Sequence, residues 1–354
     1  MTQALSEVRI ASRRVSDQED PFIIAEFSGN HAQDLAIAEE MVRAAARAGV
    51  DAIKLQTYTA DTITLDGKSR EFQIRDDSSL WKGETLHSLY KKACTPWAWH
   101  SQLFSLAREN GLIAFSSPFD ETSVELLESL DVPCYKIASF ELNHFPLLKA
   151  LARTGKPIIM STGMATLEDI DASVEYLYQQ GCSELVLLKC TSSYPAPIKD
   201  ANLRTIEDMK RRFQIPVGLS DHCQGIDVAL ASVALGANVI ERHIVLDRNT
   251  EAVDGAFSST PEEFSRLVGQ TKNISAALGK VQYGPSESEL DSLKYRRSIY
   301  VTQNLEPGAI LTAENIKVIR PGYGLAPKFF EEVLGKKVNK AKLANTPLHA
   351  DDID

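Results

Sequence analysis

Cysteine is scarce in this chain: five residues in 354, at Cys94, Cys134, Cys182, Cys190 and Cys223. An odd number with no CxxC spacing argues against a disulfide framework and against a structural zinc site. Long apolar runs are missing too. No stretch reaches the ~18 residues that a membrane span requires, so no membrane partner is expected. The opening MTQALSEVRIASRR carries charges and no apolar h-region, so it does not read as a secretory signal. Positive charge is in deficit, with 38 Lys and Arg against 48 Asp and Glu, a formal net charge of −10. Without a basic run or patch, nucleic acid is not an expected partner either. These absences point to a soluble, cytoplasmic protein. If its substrate is an anion, the positive charges that bind it must be local to a pocket.

What is present is an alternation. From Pro21 to about Gly279, short β-rich runs ending in polar residues are each followed by a stretch with helical apolar spacing. The runs are FIIAEF (22–27), AIKLQT (52–57), LIAFSS (112–117), CYKIAS (134–139), PIIMST (157–162), LVLLKC (185–190), PVGLSD (216–221) and VIERHI (239–244). The helical stretches at 36–49 and 167–181 both stop on glycine. Eight such units in roughly 250 residues imply an α/β fold of the (β/α)8 TIM-barrel type. An open doubly wound sheet is the alternative, but it calls for a glycine-rich phosphate turn after the first strand, and AEFSGNHAQ is not GxGxxG. The expected organisation is a catalytic barrel over 1–282 with an N-terminal extension at 1–20, a linker at 283–295, and a small β-rich domain at 296–354. That last piece has turn pairs at Pro307-Gly308 and Pro321-Gly322, and it is near the lower size limit for an independent core. The long segment 58–111, with Trp81, Trp97 and Trp99, reads either as a cap over the pocket or as extra barrel-packing helix.

Barrel enzymes carry their chemistry at the C-terminal ends of the strands. Here those positions hold Glu26, Lys54, Gln56, Ser117, Lys136, Ser139, Ser161, Ser192, Ser220, His222, Glu241 and His243. Barrel interiors are otherwise filled with branched apolar side chains, so this convergence is hard to explain as packing. His222 and His243 follow neighbouring strands, where two imidazoles could share a metal such as Mn, Co, Zn or Fe; a hydrogen-bonded core histidine is the bland reading of each. Lys54 and Lys136 sit inside apolar runs and need anionic partners. Structural ion pairs with Glu26, Glu141 or Glu241, capture of an anionic ligand, and a Schiff-base lysine all remain open. The serines could surround a phosphate or cap the helices that follow them. Asn30 and His31 could shape the first loop without touching substrate.

Nine motifs in order make the chain similar to the sialic acid synthase family from about Phe22 to Ile353. They are IIAEFSGNHA (23–32), AIKLQTY (52–58), FSSPFD (115–120), YKIASFE (135–141), GKPIIMSTGMA (155–165), LKCTSSYPAP (188–197), VGLSDH (217–222), ALGANVIERH (234–243) and IRPGYGL (319–325). The small domain resembles the family's antifreeze-like (SAF) domain. Within the family the likeness is strongest to the pseudaminic acid synthases, through LQTYTADTITLD (55–66), the segment 80–104, KCTSSYP (189–195) and the segment 320–337. Ser192 stands where N-acetylneuraminate synthases usually have Asn, Gly29 where relatives often have Ala, and Glu251-Ala252-Val253-Asp254 where many have a glycine-rich turn.

The resemblance implies metal-dependent condensation of phosphoenolpyruvate with 2,4-diacetamido-2,4,6-trideoxy-L-altrose. A divalent cation, Mn first and Mg or Co as alternatives, would be held by His222 and His243. Lys54, Ser117 and Lys136 would bind the phosphoenolpyruvate carboxylate, with Ser139, Ser161, Ser192 and Ser220 around its phosphate. Glu26 corresponds to the family's acid/base, with Glu241 beside it. Gln56, Tyr194 and Asp254 match sugar-contacting positions. Arg320 matches an arginine that the small domain inserts into the partner's site, implying a domain-swapped homodimer. The alternatives are an N-acetylneuraminate or legionaminic acid synthase, a Schiff-base pyruvate aldolase working through Lys136, and a non-catalytic carbohydrate binder.

Overall fold

The computed structural model describes residues 7–77, 79–249 and 252–354. Residues 1–6 of the expected N-terminal extension, and Glu251 in the loop before Asp254, lie outside them. The chain divides into two compact units, 1–279 and 280–354.

The first unit is a closed barrel of eight parallel strands: β3 (Phe22–Glu26), β4 (Ala52–Thr57), β5 (Ile113–Pro118), β6 (Tyr135–Ile137), β7 (Ile158–Ser161), β8 (Leu185–Cys190), β9 (Val217–Asp221) and β10 (Val239–His243). Each pairs with the next, and β10 closes on β3 in the register Val239 to Phe22 through His243 to Glu26. Nearly every strand residue is buried, because helices cover the outside and side chains fill the inside. These are the eight runs expected from the sequence, with ends shifted by at most two residues.

The helices form where an apolar stripe recurs at helical spacing. In Leu35–Ala48 the stripe is Ala38, Met41, Val42, Ala45 and Ala48. The Asp34 carboxylate accepts from the Ala36 N–H at the start, and Gly49 ends the helix in a left-handed conformation at φ +81°.

Two features differ from the sequence reading. Residues 8–15 of the expected N-terminal extension form a hairpin, β1 (Val8–Ile10) against β2 (Arg13–Val15). Val8, Ile10 and Val15 are buried in the barrel's own core. The hairpin's polar groups meet residues just ahead of the strands: the Arg9 N–H donates to Glu184, the Arg13 guanidinium to Asp51, and Asn238 donates to Asp17 on the segment that follows. It therefore caps the N-terminal mouth of the barrel. In the second unit, Glu287–Tyr295 of the anticipated linker is a 3-10 helix, and its Lys294 carbonyl accepts from the Gly322 N–H. This unit is built on an antiparallel pair, β11 (Ser298–Val301) with β12 (Ile316–Ile319), over a small core of Ile299, Val301, Leu311, Ile316, Val338 and Leu348.

Both readings of the long segment hold, for different parts of it. Helix Trp97–Glu109 packs Leu103, Phe104 and Ala107 onto the barrel. Ile63, Ile74, Trp81, Leu86, Leu89, Tyr90 and Ala93 line the cavity described below, at the strands' C-terminal ends. Gly29 permits this close approach, since a β-carbon there would fall 2.8 Å from Ala93 Cα.

A buried polar chain ties the segment down. His31 Nε2 meets Thr95 Oγ1 at 3.1 Å, His100 Nε2 meets Thr57 Oγ1 at 2.8 Å, and Thr57 is shared with Ser116 at 2.6 Å. Burial lowers His31 to about 4, with help from the neighbouring His100, and burial lowers His100 to about 4 as well. Both imidazoles are thus neutral in the fold but take up protons when unfolded below the ordinary value of 6.5. Their contribution is complete above pH 6.5 and is lost as pH falls toward 4. The urea midpoint of the wild type should fall across that window, and more gently in His100→Phe, which removes one of the two titrating groups. Equal acid slopes in the two proteins would reject this account.

Candidate active site

Strand alternation aims every second side chain into the barrel. On β10 this turns Glu241 and His243 inward and Arg242 outward; on β4 it places Lys54 and Gln56 at the cavity; on β6 it presents Lys136. Register does the rest. Glu26 lies opposite Lys54 across β3 and β4, and Glu241 lies opposite Ser220 across β9 and β10.

Four buried charges meet at the floor. Lys54 Nζ contacts the Glu26 carboxylate and stands 3.8 Å from Glu241; Lys136 Nζ is 3.5 Å from Glu241. Burial pushes the Glu241 carboxyl up, but Lys136, Lys54 and the Ser220 hydroxyl (3.0 Å) together hold it well below the usual carboxylate range. Burial works against the charged form of Lys54, yet Glu241 and Glu26 hold its ammonium protonated, above its ordinary value. For Lys136 burial prevails over Glu241, and its value is lowered. Glu26 is further fixed by the Gln56 amide at 2.8 Å and the Ser28 N–H at 3.1 Å.

Beside this cluster the His222 and His243 rings lie 5.2 Å apart, both against Phe257, with Tyr194 over His222 at 4.5 Å. His222 Nδ1 is 3.0 Å from the Thr191 carbonyl, which can only accept, so Nδ1 carries a proton, and in the neutral ring the lone pair is on Nε2. His243 Nδ1 is buried and 3.4 Å from the Asp254 carboxylate. An imidazole with one nitrogen turned to an oxygen acceptor and the other free is the arrangement a cation requires, so the pair fits a divalent metal. Among the described residues no group of three or more His, Cys, Asp or Glu converges on one point.

The Asp254 loop is held by the first loop. The Asn30 side chain accepts from the Asp254 N–H at 2.9 Å and donates to the Ile244 carbonyl and Ser258 hydroxyl at 2.8 Å; the Ser28 hydroxyl donates to the Asp254 carboxylate. This explains the SGN sequence after β3. Asn30 shapes the site from behind, and His31 belongs to the buried tether.

These groups line one cavity of about 530 Å³. It brings together Glu26, Lys54, Gln56, Lys136, Ser139, Ser161, Ser192, Tyr194, Ser220, His222, Glu241, His243 and Asp254. Two expected residues are not on its wall. Ser117 is fully buried behind Lys54, accepting from its Nζ at 3.1 Å. Arg320 is exposed in the second unit.

The sequence reading considered Glu141 only as an ion-pair partner. It lines the cavity with a buried Oε2 that has no hydrogen-bond partner, and burial pushes its carboxyl up to about 7 against the pull of Lys136. The Ser161 hydroxyl is buried and unpartnered in the same way. Buried polar groups of this kind are satisfied by water, an ion or a ligand's polar atoms. The aromatic and aliphatic wall contributed by residues 58–93 was likewise not resolved from sequence; Trp81 was its one visible signal.

Comparison with known proteins places this geometry. The model of the NeuB family matches residues 41–283, and that of the SAF domain matches residues 296–354. The chain is 43% identical over 319 residues to the pseudaminic acid synthase of Campylobacter jejuni subsp. jejuni serotype O:23/36, covering 90% of this chain and 92% of the relative. It is 42% identical over 335 residues to the pseudaminic acid synthase of Helicobacter pylori, covering 94% and 98%. Among solved structures, the N-acetylneuraminic acid synthetase of Leptospira borgpetersenii, in complex with citrate, matches with a TM-score of 0.74 at 31% identity, over 84% of this chain and 98% of that one. An eight-stranded barrel with this polar floor, matched over most of its length by these relatives, belongs to the NeuB family and carries a SAF domain over residues 296–354.

Proposed function

We propose that this chain is a pseudaminic acid synthase, a transferase that condenses phosphoenolpyruvate with 2,4-diacetamido-2,4,6-trideoxy-L-altrose and releases phosphate by C–O cleavage. The observation that carries the reading is the pair of buried lysines beside the pair of buried imidazoles on one cavity, in a chain 42–43% identical to two pseudaminic acid synthases.

Lys54 and Lys136, with Ser117 behind Lys54, hold the carboxylate of phosphoenolpyruvate. Ser139, Ser161, Ser192 and Ser220 surround its phosphate. Gln56, Tyr194 and Asp254 orient the sugar in its open-chain form, and Arg320 enters the partner subunit's site in a domain-swapped homodimer. His222 and His243 hold a divalent cation, most readily Mn, with Mg or Co as substitutes. When bound, that cation polarises the aldehyde oxygen. C3 of the enolpyruvyl group forms the new bond to the aldehyde carbon, water adds at C2, and the C2–O bond to phosphate breaks. Glu26, fixed by Gln56 and Ser28, serves as acid/base at the reacting centre, with Glu241 keeping both ammonium groups in place. Holding two substrates in attack geometry is where most of the acceleration arises. The reading places the protein in the cytoplasm, where phosphoenolpyruvate is available; among the described residues no helix is long and apolar enough to cross a membrane.

One observation favours a second reaction class. The lowered value of Lys136 suits a Schiff-base lysine. Borohydride trapping of a pyruvate adduct, with activity that survives EDTA, would establish that aldolase instead. A legionaminic or N-acetylneuraminate synthase would share the chemistry and differ only in sugar.

Three measurements follow from these roles. Phosphate release should be fastest with the diacetamido-altrose and should stop with EDTA; preferred turnover of N-acetylmannosamine would change the substrate assignment. His222→Ala and His243→Ala should each lose at least 100-fold in metal-restored activity while the circular dichroism spectrum stays that of the wild type. Turnover retained in both variants removes the cation from the mechanism. Glu141 supplies a test by pH. Its raised value means the fold binds that proton more tightly than the unfolded chain does, so its contribution is present below the ordinary 4.5 and lost as pH rises through about 7. Glu141→Gln should therefore gain in melting temperature over wild type as pH rises from 5 to 8, and a constant difference contradicts the burial assigned to that carboxyl.

A further inference from the structure

The side of the cavity contributed by the segment between β4 and β5 is mostly apolar, with Ile63, Ile74, Leu86 and Leu89. Three side chains with polar atoms are set into it. The Trp81 indole N–H is satisfied, donating to the Val253 carbonyl at 3.2 Å. The other two are the phenols of Tyr58 and Tyr90, which line the same cavity. Among the described residues neither hydroxyl has a hydrogen-bond partner.

Both rings are held in place by their surroundings. Tyr58 directly follows Thr57, whose hydroxyl is shared by His100 and Ser116. Its ring stands edge-on to Tyr90, centroids 5.8 Å apart, and to Phe119 at 5.0 Å, and the residue is only 2% exposed. Tyr90 is half-buried on helix Leu86–Ala93, which starts with a reciprocal cap between Thr85 and Ser88. That helix is seated on the first loop where Gly29 meets Ala93. Packing alone would be served as well by phenylalanine at either position. A phenol enclosed without a partner forfeits the hydrogen bonds it makes in water, and it contributes nothing in return until a ligand or a water supplies one.

The neighbours of the two hydroxyls narrow what that ligand is. Burial pushes both phenols above their ordinary value, so each is a neutral group that can donate and accept. The effect is reinforced at Tyr58 by Cys94 and Asp254 and at Tyr90 by Glu141, which are acidic groups. An anion is disfavoured beside those acids and is drawn to Lys54 and Lys136 instead. A neutral molecule rich in hydroxyl and amide groups meets no such penalty. We propose that the Tyr58 and Tyr90 hydroxyls are sugar-binding groups, hydrogen-bonded to hydroxyl or acetamido groups of the amino-sugar substrate. The inference rests on the reading of the preceding section that an amino sugar is the second substrate. It adds two residues that the family resemblance does not assign to that sugar.

The test is steady-state phosphate release from phosphoenolpyruvate by wild type, Tyr58→Phe, Tyr90→Phe and the double variant, alongside thermal unfolding of all four. The sugar is whichever wild type turns over faster, 2,4-diacetamido-2,4,6-trideoxy-altrose or N-acetylmannosamine. Each single variant removes one oxygen and should raise the KM for the sugar about 3- to 10-fold, and the double variant at least 10-fold. Because the lost contacts bind ground state and transition state alike, kcat and the KM for phosphoenolpyruvate should stay within a factor of about two. Melting temperatures should match or exceed that of wild type, since the fold loses no hydrogen bond. An unchanged sugar KM in the double variant overturns the inference, whether or not its melting temperature falls. So does a rise confined to the KM for phosphoenolpyruvate. The synthase reading stands in both cases. If wild type releases no phosphate with either sugar, that reading itself fails, and the inference goes with it.

Discussion

The site depends on one cluster of buried charge: Glu26 with Lys54, and Glu241 shared between Lys54 and Lys136. An ammonium enclosed in a barrel without a partner would cost several kcal/mol or lose its proton. Two carboxylates supplied by the neighbouring strands β3 and β10 remove that penalty for Lys54 and lessen it for Lys136. The pairing exists only because the barrel closes, since β10 reaches Lys54 across β3. Fold and site are in this sense a single arrangement. Breaking the closure register by one residue would turn Glu241 outward, leaving Lys136 unmatched and Lys54 with Glu26 alone.

The same cluster limits what the lysines can do alone. Two ammonium groups balanced by two carboxylates are electrically neutral, so they orient an anion without supplying surplus charge. A phosphorylated, carboxylated substrate brings more negative charge than this floor can neutralise. The proposed cation between the imidazoles, with the loop amides near the serines, would supply the rest. Electrostatic balance therefore links the lysine pair to the histidine pair more firmly than their proximity does.

Most of the barrel was legible in the sequence, because strands buried on both faces are written as continuous β-branched runs and each run ends on a polar residue. Rim positions such as Lys54, Lys136 and His243 could be read off those ends without coordinates. The hairpin at 8–15 escaped because two three-residue strands interrupted by arginines carry no period long enough to register. Ser117 sits at a strand end like the others, but its hydroxyl faces Lys54 and not the cavity, a difference of side-chain direction that spacing does not encode. Glu141 depends on the 3-10 turn Ser139–Glu141 that follows β6, which swings the carboxyl back over the floor. The apolar wall is assembled from short pieces between residues 60 and 93, each too brief to announce which way it faces.

Alternation also places a second layer behind the imidazoles. Asp221 and Arg242 point outward from β9 and β10, are about 1% exposed, and form an ion pair. The guanidinium donates further to the Cys223 carbonyl at 2.8 Å and the Ser259 hydroxyl at 2.9 Å. Asp221 immediately precedes His222, and Arg242 immediately precedes His243. The backbone carrying each imidazole is therefore pinned one residue upstream by a partner on the other strand. Removing one member of such a pair typically costs about 3–5 kcal/mol, because the survivor is left charged and buried. The spacing of the two imidazoles, on which any shared cation depends, is thus set from outside the barrel by a bond that never touches the cavity.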